Sequence, residues 1–226
     1  MLDVVRWMFP LSPMIESTTG LILRTYPLTE TSLIVHWLTR DFGRIHTVAK
    51  GARRLKSPFR GKLDLFYLAD FSFARSRSSD LHNLREVSLR ETHNALRQDL
   101  QQLQEAAYCA ALLAQATETD TPLPRLLDLL AGLLHQLTQP PPQPLNLPAF
   151  ELKLLKELGQ SPNLPATQLS AGAKQILAKL TELDWPALSR LKPSAPQSRE
   201  IETFLHDFLV YQLGKVPGGR GAALAQ

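Results

Sequence analysis

The sequence holds a single cysteine, Cys109, among its 226 residues. A disulfide within the chain and a multi-cysteine metal site are therefore excluded. Set in the alanine-rich run AAYCAALLAQA, the thiol reads as a small core residue. No stretch approaches the roughly 18 consecutive apolar residues of a membrane-spanning helix. In the opening residues, MLDVVRWMFPLSPMIES, Asp3, Arg6, Pro10 and Pro13 cut the apolar side chains into short pieces. That is a poor secretion signal, and residues 1–13 read as a loose extension of a cytoplasmic protein. Catalytic signatures are missing as well: there is no GxxxxGK[ST], no GxGxxG, no GxSxG and no HExxH. The six histidines (36, 46, 82, 93, 135 and 206) are scattered, none at helical ligand spacing from another or from Cys109. The carboxylates are spread singly. The reading is a protein that is not an enzyme and uses no cofactor and no metal.

What is present is positive charge in one place. The chain is 44% hydrophobic, enough for a packed core, and its net charge is only +4. Residues 1–85, however, carry thirteen Lys/Arg against seven Asp/Glu, so the excess belongs to the N-terminal third. That asymmetry points to a polyanion partner. Its densest part is VAKGARRLKSPFRGKL, residues 48–63, with Lys50, Arg53, Arg54, Lys56, Arg60 and Lys62 and no acid. Gly51, Pro58 and Gly61 break any helical pattern, so this is a loop. A solvated surface loop would account for the charge run on composition alone. The functional reading is phosphate binding, in which each neutralised phosphate releases a counterion. Arg24, Arg44, Arg75 and Arg77 fall at strand positions or edges that extend the patch. Phe59, Tyr26 and Trp37 are candidate stacking platforms for unpaired bases, although a tryptophan on a strand of a small barrel is more often core.

Two periodicities divide the chain. Residues 20–26, 32–39, 44–50, 64–74 and 81–88 are rich in β-branched, aromatic and leucine residues, with turn signals between them. In the fourth run Leu65, Tyr67, Ala69, Phe71 and Phe73 share one face, the period of a strand. Five short strands predict a small barrel of the oligonucleotide-binding type over residues 1–88.

From residue 89 the period becomes helical. Leu96, Leu100, Leu103, Ala107, Ala110 and Ala114 make one stripe. Residues 123–137 form a second helix, apolar nearly all round. A proline-rich connector spans 139–148, with four prolines in residues 140–144. A third helix ends at Gly159, a fourth runs from the N-cap Ser170 to about Leu183, and a fifth starts at Ser198. The helical domain is thus 89–213, and the glycine-rich residues 214–226 read as a flexible tail. The fold class is α+β.

One stretch is more specific than composition. Thr29 to Phe66, TETSLIVHWLTRDFGRIHTVAKGARRLKSPFRGKLDLF, resembles the RecO family of bacterial recombination mediators. The likeness lies in the ETS–strand–TxxxG[RK] pattern, then VAKGAR, a basic spacer and GxL before an aromatic strand. It continues in LREVSLRET at 84–92 and, more faintly, in FELKLLKELGQSPNL at 150–164. The resemblance implies an oligonucleotide-binding barrel followed by a helical domain. It implies binding of single- and double-stranded DNA, annealing of complementary strands, and help for RecA in replacing the single-stranded-DNA-binding protein, at the nucleoid during repair. Implied partners are RecR and the C-terminal tail of the single-stranded-DNA-binding protein, received in an apolar groove of the helical domain. The DNA contacts carried over are Lys50, Arg53, Arg54 and Lys56, with Arg60 and Lys62 beside them. Many family members carry a four-cysteine zinc loop after the third helix. Here residues 160–170 read QSPNLPATQLS, so no zinc is expected, and GKVPGGRG replaces the family's basic C-terminal segment. The competing reading is an RNA-binding or ribosome-associated barrel using the same charge.

Overall fold

A computed structural model describes residues 14–224; the extension expected at residues 1–13 lies outside the described residues. Five strands, β1 (Ile15–Pro27), β2 (Leu33–Thr39), β3 (Gly43–Ala49), β4 (Leu68–Ala74) and β5 (Leu81–Glu91), form a closed barrel in the order β1-β2-β3-β5-β4. This is the five-stranded barrel that the sequence predicts. The β3–β5 pairing that shuts it is parallel, and the others are antiparallel. The first strand begins earlier than predicted, because it serves two neighbours. Its first half, Ile15–Leu21, pairs with β4, and its second half, Gly20–Pro27, pairs with β2. An irregularity between Ile22 and Arg24 bends the strand around the barrel corner. Gly20 stands at the crossing, where a Cβ would lie 2.8 Å from the Phe71 ring. The fourth strand starts later than predicted. The Tyr67 amide donates to the Asp64 carbonyl in a turn, and Phe66 sits at φ 65°.

The barrel interior is filled by Ile22, Val35, Trp37, Ile45, Phe71, Phe73 and their neighbours. Trp37 is fully buried, stacks on Phe71 at 4.0 Å, and donates its Nε1–H to Thr47 Oγ1 at 2.9 Å.

Among the described residues six α-helices follow: α1 (Leu100–Ala116), α2 (Pro124–Leu137), α3 (Asn146–Glu157), α4 (Ala171–Glu182), α5 (Ala195–Leu213) and α6 (Arg220–Leu224). Of the predicted stripe, Leu96 and Ala110 are buried and Leu103 and Ala114 pack against the main core, but two members face out and further residues are buried beside it. Leu100 is 70% exposed and Ala107 is exposed, while Ala106, Cys109, Leu112 and Leu113 are buried. The helix packs on other helices along one side and turns alanines to the barrel on another, so no single stripe describes it. The fifth helix begins before Ser198. Ser194 caps it, and Gln197 closes a capping box onto the Ser194 amide. The connector ends sooner than predicted, with Pro148 inside the first turn of α3.

The main core joins α1, α2 and α3 to Leu21, Leu23, Leu38 and Phe66 of the barrel, so the two domains share apolar packing. A smaller cluster unites α3, α4 and α5. The tail is not frayed over its described part. Arg220 and Ala223 are buried, and the Arg220 guanidinium bonds Glu151 of α3 at 2.7 and 2.9 Å. No described helix is long and apolar enough to cross a membrane.

Candidate nucleic-acid interface

The loop from Lys50 to Leu63, between β3 and β4, is folded rather than loose. Amide-to-carbonyl bonds from Arg54 to Gly51, Ser57 to Arg54, Arg60 to Ser57 and Lys62 to Phe59 make a chain of tight turns. Gly51 (φ 69°) and Gly61 (φ 71°) supply the left-handed positions that begin and end it. Phe59 anchors it, 6% exposed and packed into the barrel core. The Arg53 amide ties the loop to the β1–β2 turn through the Thr31 carbonyl at 2.9 Å.

With its backbone fixed inward, the loop turns its cations outward. Lys50, Arg53, Arg54, Lys56 and Arg60 are exposed, and Lys62 is half-buried with its Nζ donating to the Val87 carbonyl at 3.1 Å. Among the described residues, none of the six forms a salt bridge. Arg53, Arg54 and Arg60 together line a depression of 200 Å³. Lys62 and Arg85 line an adjoining cleft of 660 Å³ together with Ser17, Thr18, Thr19, Ser72 and Ser88 and three carboxylates, Asp41, Asp70 and Glu86; the Thr18 hydroxyl donates to Asp41 and the Thr19 hydroxyl to Asp70, each at 2.6 Å.

Three other expected contact residues do not extend this patch. Arg44 opens β3 and Lys50 follows its end, so the strand sets them about 20 Å apart. Arg44 is half-buried and donates to Thr117 Oγ1 at 2.9 Å and to the Thr117 carbonyl, which fastens the barrel to the end of α1. Arg75, after β4, is paired with Glu16 at 2.9 Å and Asp120 at 3.2 Å, and these partners hold its guanidinium firmly protonated. Arg77 is exposed in the β4–β5 turn at that same far end. The stacking candidates also need correction. Trp37 and Phe59 are core residues, leaving the half-buried Tyr26, which carries the Arg24 guanidinium 4.6 Å over its ring.

One feature escaped the reading by helical spacing. His36 on β2 and His46 on β3 are cross-strand partners, and their ring centroids lie 3.9 Å apart with the planes tilted by 31°. With Arg24, Tyr26 and Arg44 they form one wall of a 370 Å³ cavity, and Ala107, Ala110, Ala111 and Ala114 of α1 form the other. Among the described residues no carboxylate lines it. Burial, then His46, Arg44 and Arg24, push the His36 pKa down to about 4. His46 is lowered too, by burial and by Arg44. The signal available in the sequence was the hairpin itself: strand-period positions on either side of a short turn face one another.

A closed barrel of this strand order, an outward cationic loop and a helical domain sharing its core define the class: an oligonucleotide-binding-fold protein with an appended helical domain. Residues 14–93 match the family model described as Recombination protein O N terminal, and residues 97–167 match Recombination protein O C terminal. The two segments meet where β5 gives way to helices. The chain belongs to the RecO family of DNA repair and recombination proteins. It is 30% identical over 231 residues to DNA repair protein RecO of Anaeromyxobacter dehalogenans (strain 2CP-C), covering 87% of this chain and 91% of that protein. It is 36% identical over 149 residues to the Rhodopirellula baltica protein of the same name, covering 66% of this chain and 54% of the relative. For that relative and for the one from Anaeromyxobacter sp. (strain K), at 58%, the chain spans little more than half the relative's length.

Proposed function

We propose that the β3–β4 loop grips nucleic-acid phosphates, and that the chain serves repair by holding single- and double-stranded DNA, annealing complementary strands and assisting RecA on DNA covered by the single-stranded-DNA-binding protein. The observation that carries this is six cations on a rigid loop with no carboxylate partner among the described residues. Carboxylates placed beside the loop would quench such a surface. Among the described residues no carboxylate lines the depression of Arg53, Arg54 and Arg60, while Asp41, Asp70 and Glu86 stand in the adjoining cleft with Lys62 and Arg85.

The mechanism is non-covalent. Phosphates of two strands lie on one cationic surface, which screens their mutual repulsion while the bases remain free to pair. Counterion release supplies the affinity, and none of these contacts reads a base. A continuing path runs over the β1–β2–β3 face, where Arg24, Tyr26, His36 and His46 stand at the mouth of a second, acid-free cavity. RecR and the C-terminal tail of the single-stranded-DNA-binding protein are the protein partners, the tail taken by an apolar groove of the helical domain.

A strand-annealing assay with the cognate single-stranded-DNA-binding protein, intact and lacking its tail, tests this reading. The account expects faster annealing of coated strands, dependent on the tail and lost on replacing Arg53, Arg54 and Lys56 by alanine. Absence of any acceleration overturns it. Preference for structured RNA over single-stranded DNA at equal salt would favour the RNA-binding alternative.

A further inference from the structure

Away from the barrel, a cavity of 300 Å³ opens where the first turns of α1 meet the end of α2, the proline-rich connector and the start of α3. Two of its lining side chains are buried and lack a partner among the described residues. Glu105 is 4% exposed and its Oε1 accepts no hydrogen bond; Asn146 is 2% exposed and its Oδ1 accepts none. A third acceptor stands at the N-terminus of α1. Asp99 caps that helix through Oδ1, which takes the amides of Gln101 and Gln102, and its Oδ2 is not used in the cap. Among the described residues the lining contains no lysine, arginine or histidine. Leu137 and Pro142 add apolar wall.

Unpaired buried acceptors cost the fold stability, and natural proteins keep few of them. Two in one cavity, each with an unpartnered oxygen, point to a donor-rich group that would also draw out the Glu105 proton. A bare metal ion is too small for the space, and no described cluster of three or more His, Cys, Asp or Glu forms there. A guanidinium fits better: it is all donor, planar, carries five N–H groups, and sits on an apolar stem that Leu137 and Pro142 can cover. We propose that this cavity receives a guanidinium group on an apolar stem, held by Glu105, Asn146 and Asp99. The proposal stands apart from DNA binding, since none of these residues belongs to the barrel.

Protonation supports the geometry. Burial pushes the Glu105 carboxyl up to about 8, so it is largely neutral at pH 7 in the unliganded protein. A guanidinium alongside favours the charged form and releases a proton. The other titratable groups near it are Asp99 and Cys109 on α1 and Glu151 on α3, and burial with Glu105 and Glu151 pushes the Cys109 thiol well up. The lining residues from α2 and the connector, Leu137, Pro142 and Gln143, do not titrate.

The test uses the full chain and two blocked probes, N-acetylarginine amide and its uncharged isostere N-acetylcitrulline amide, with binding followed by NMR shifts and calorimetry. The expected result is an arginine preference of about tenfold or more, lost in Glu105→Gln and accompanied by proton release that strengthens binding from pH 6.5 to 8.5. Agmatine, run in parallel, separates the sources. Tighter binding of the blocked probe assigns an arginine within a polypeptide, and tighter agmatine assigns a free guanidino compound. Equal binding of the arginine and citrulline probes, an undiminished preference in Glu105→Gln, or no binding at millimolar probe would each overturn the proposal. Glu105→Gln is isosteric with the neutral carboxyl, and Asn146→Ser serves as an independent check on the same preference.

Discussion

Arg220 is the residue whose removal most sharply tests the folded tail. Its partner Glu151 is completely buried in α3, and both carboxylate oxygens are satisfied. Arg220 Nε donates to Oε1 at 2.7 Å, a second guanidinium nitrogen donates to Oε2 at 2.9 Å, and the Tyr108 hydroxyl donates to Oε1 at 2.7 Å. Arg220→Met keeps the stem but strands a carboxylate in the core with one phenolic donor. Breaking a buried pair in this way costs about 3–5 kcal/mol. At about 2–4 °C per kcal/mol for a chain of this size, Tm should fall by about 6–20 °C in thermal denaturation followed by circular dichroism. The double variant Glu151→Leu/Arg220→Met should recover most of the loss, because replacing both partners by apolar groups removes the uncompensated charge. Hydrogen exchange should show α6 opening in the single variant only. A single variant within about 1 kcal/mol of the parent, or a double variant worse than the single, would refute the reasoning.

Replacing Arg53, Arg54 and Lys56 by alanine should weaken binding to all DNA sequences alike and reduce the log–log salt slope by about 2, at about 0.7 per phosphate for single strands; selective loss at one sequence would contradict it. The lowered pKa of His36 means that the unfolded chain takes its proton first as pH falls from about 6.5 towards 4, so this residue's contribution to stability is present above that window and lost within it. Allowing for solvent screening of a half-buried ring, the loss is about 1 kcal/mol, and His36→Gln should flatten the Tm-against-pH curve by about 2–4 °C. Gly43 holds φ 67°, and a Cβ there would lie 2.0 Å from the Thr121 carbonyl oxygen in the α1–α2 connection. Gly43→Ala should therefore cost at least about 2 kcal/mol in chemical denaturation and loosen the contact between barrel and helices.

The barrel was legible because strand period and turn residues agree along residues 20–88. Its closure was not, since the parallel β3–β5 pairing joins segments that no local pattern connects. The outward cations of the β3–β4 loop could be read from the sequence, whereas the inward role of Phe59 required knowing that the barrel end lacked a plug. Arg75 looked like a free cation because Glu16 and Asp120, its partners, are 59 and 45 residues away. The His36–His46 pair was missed for a related reason: helical spacing passes over a pair made across a hairpin. The glycine-rich tail suggested fraying, and only the buried Glu151 explains why Arg220 brings it back.

The central claim, that the β3–β4 loop binds phosphates, is tested most directly by titrating salt against affinity for a single-stranded oligonucleotide. With about five phosphates neutralised, log K against log salt should fall with a slope near about −3.5. A flat line, or no binding at low salt, would contradict it.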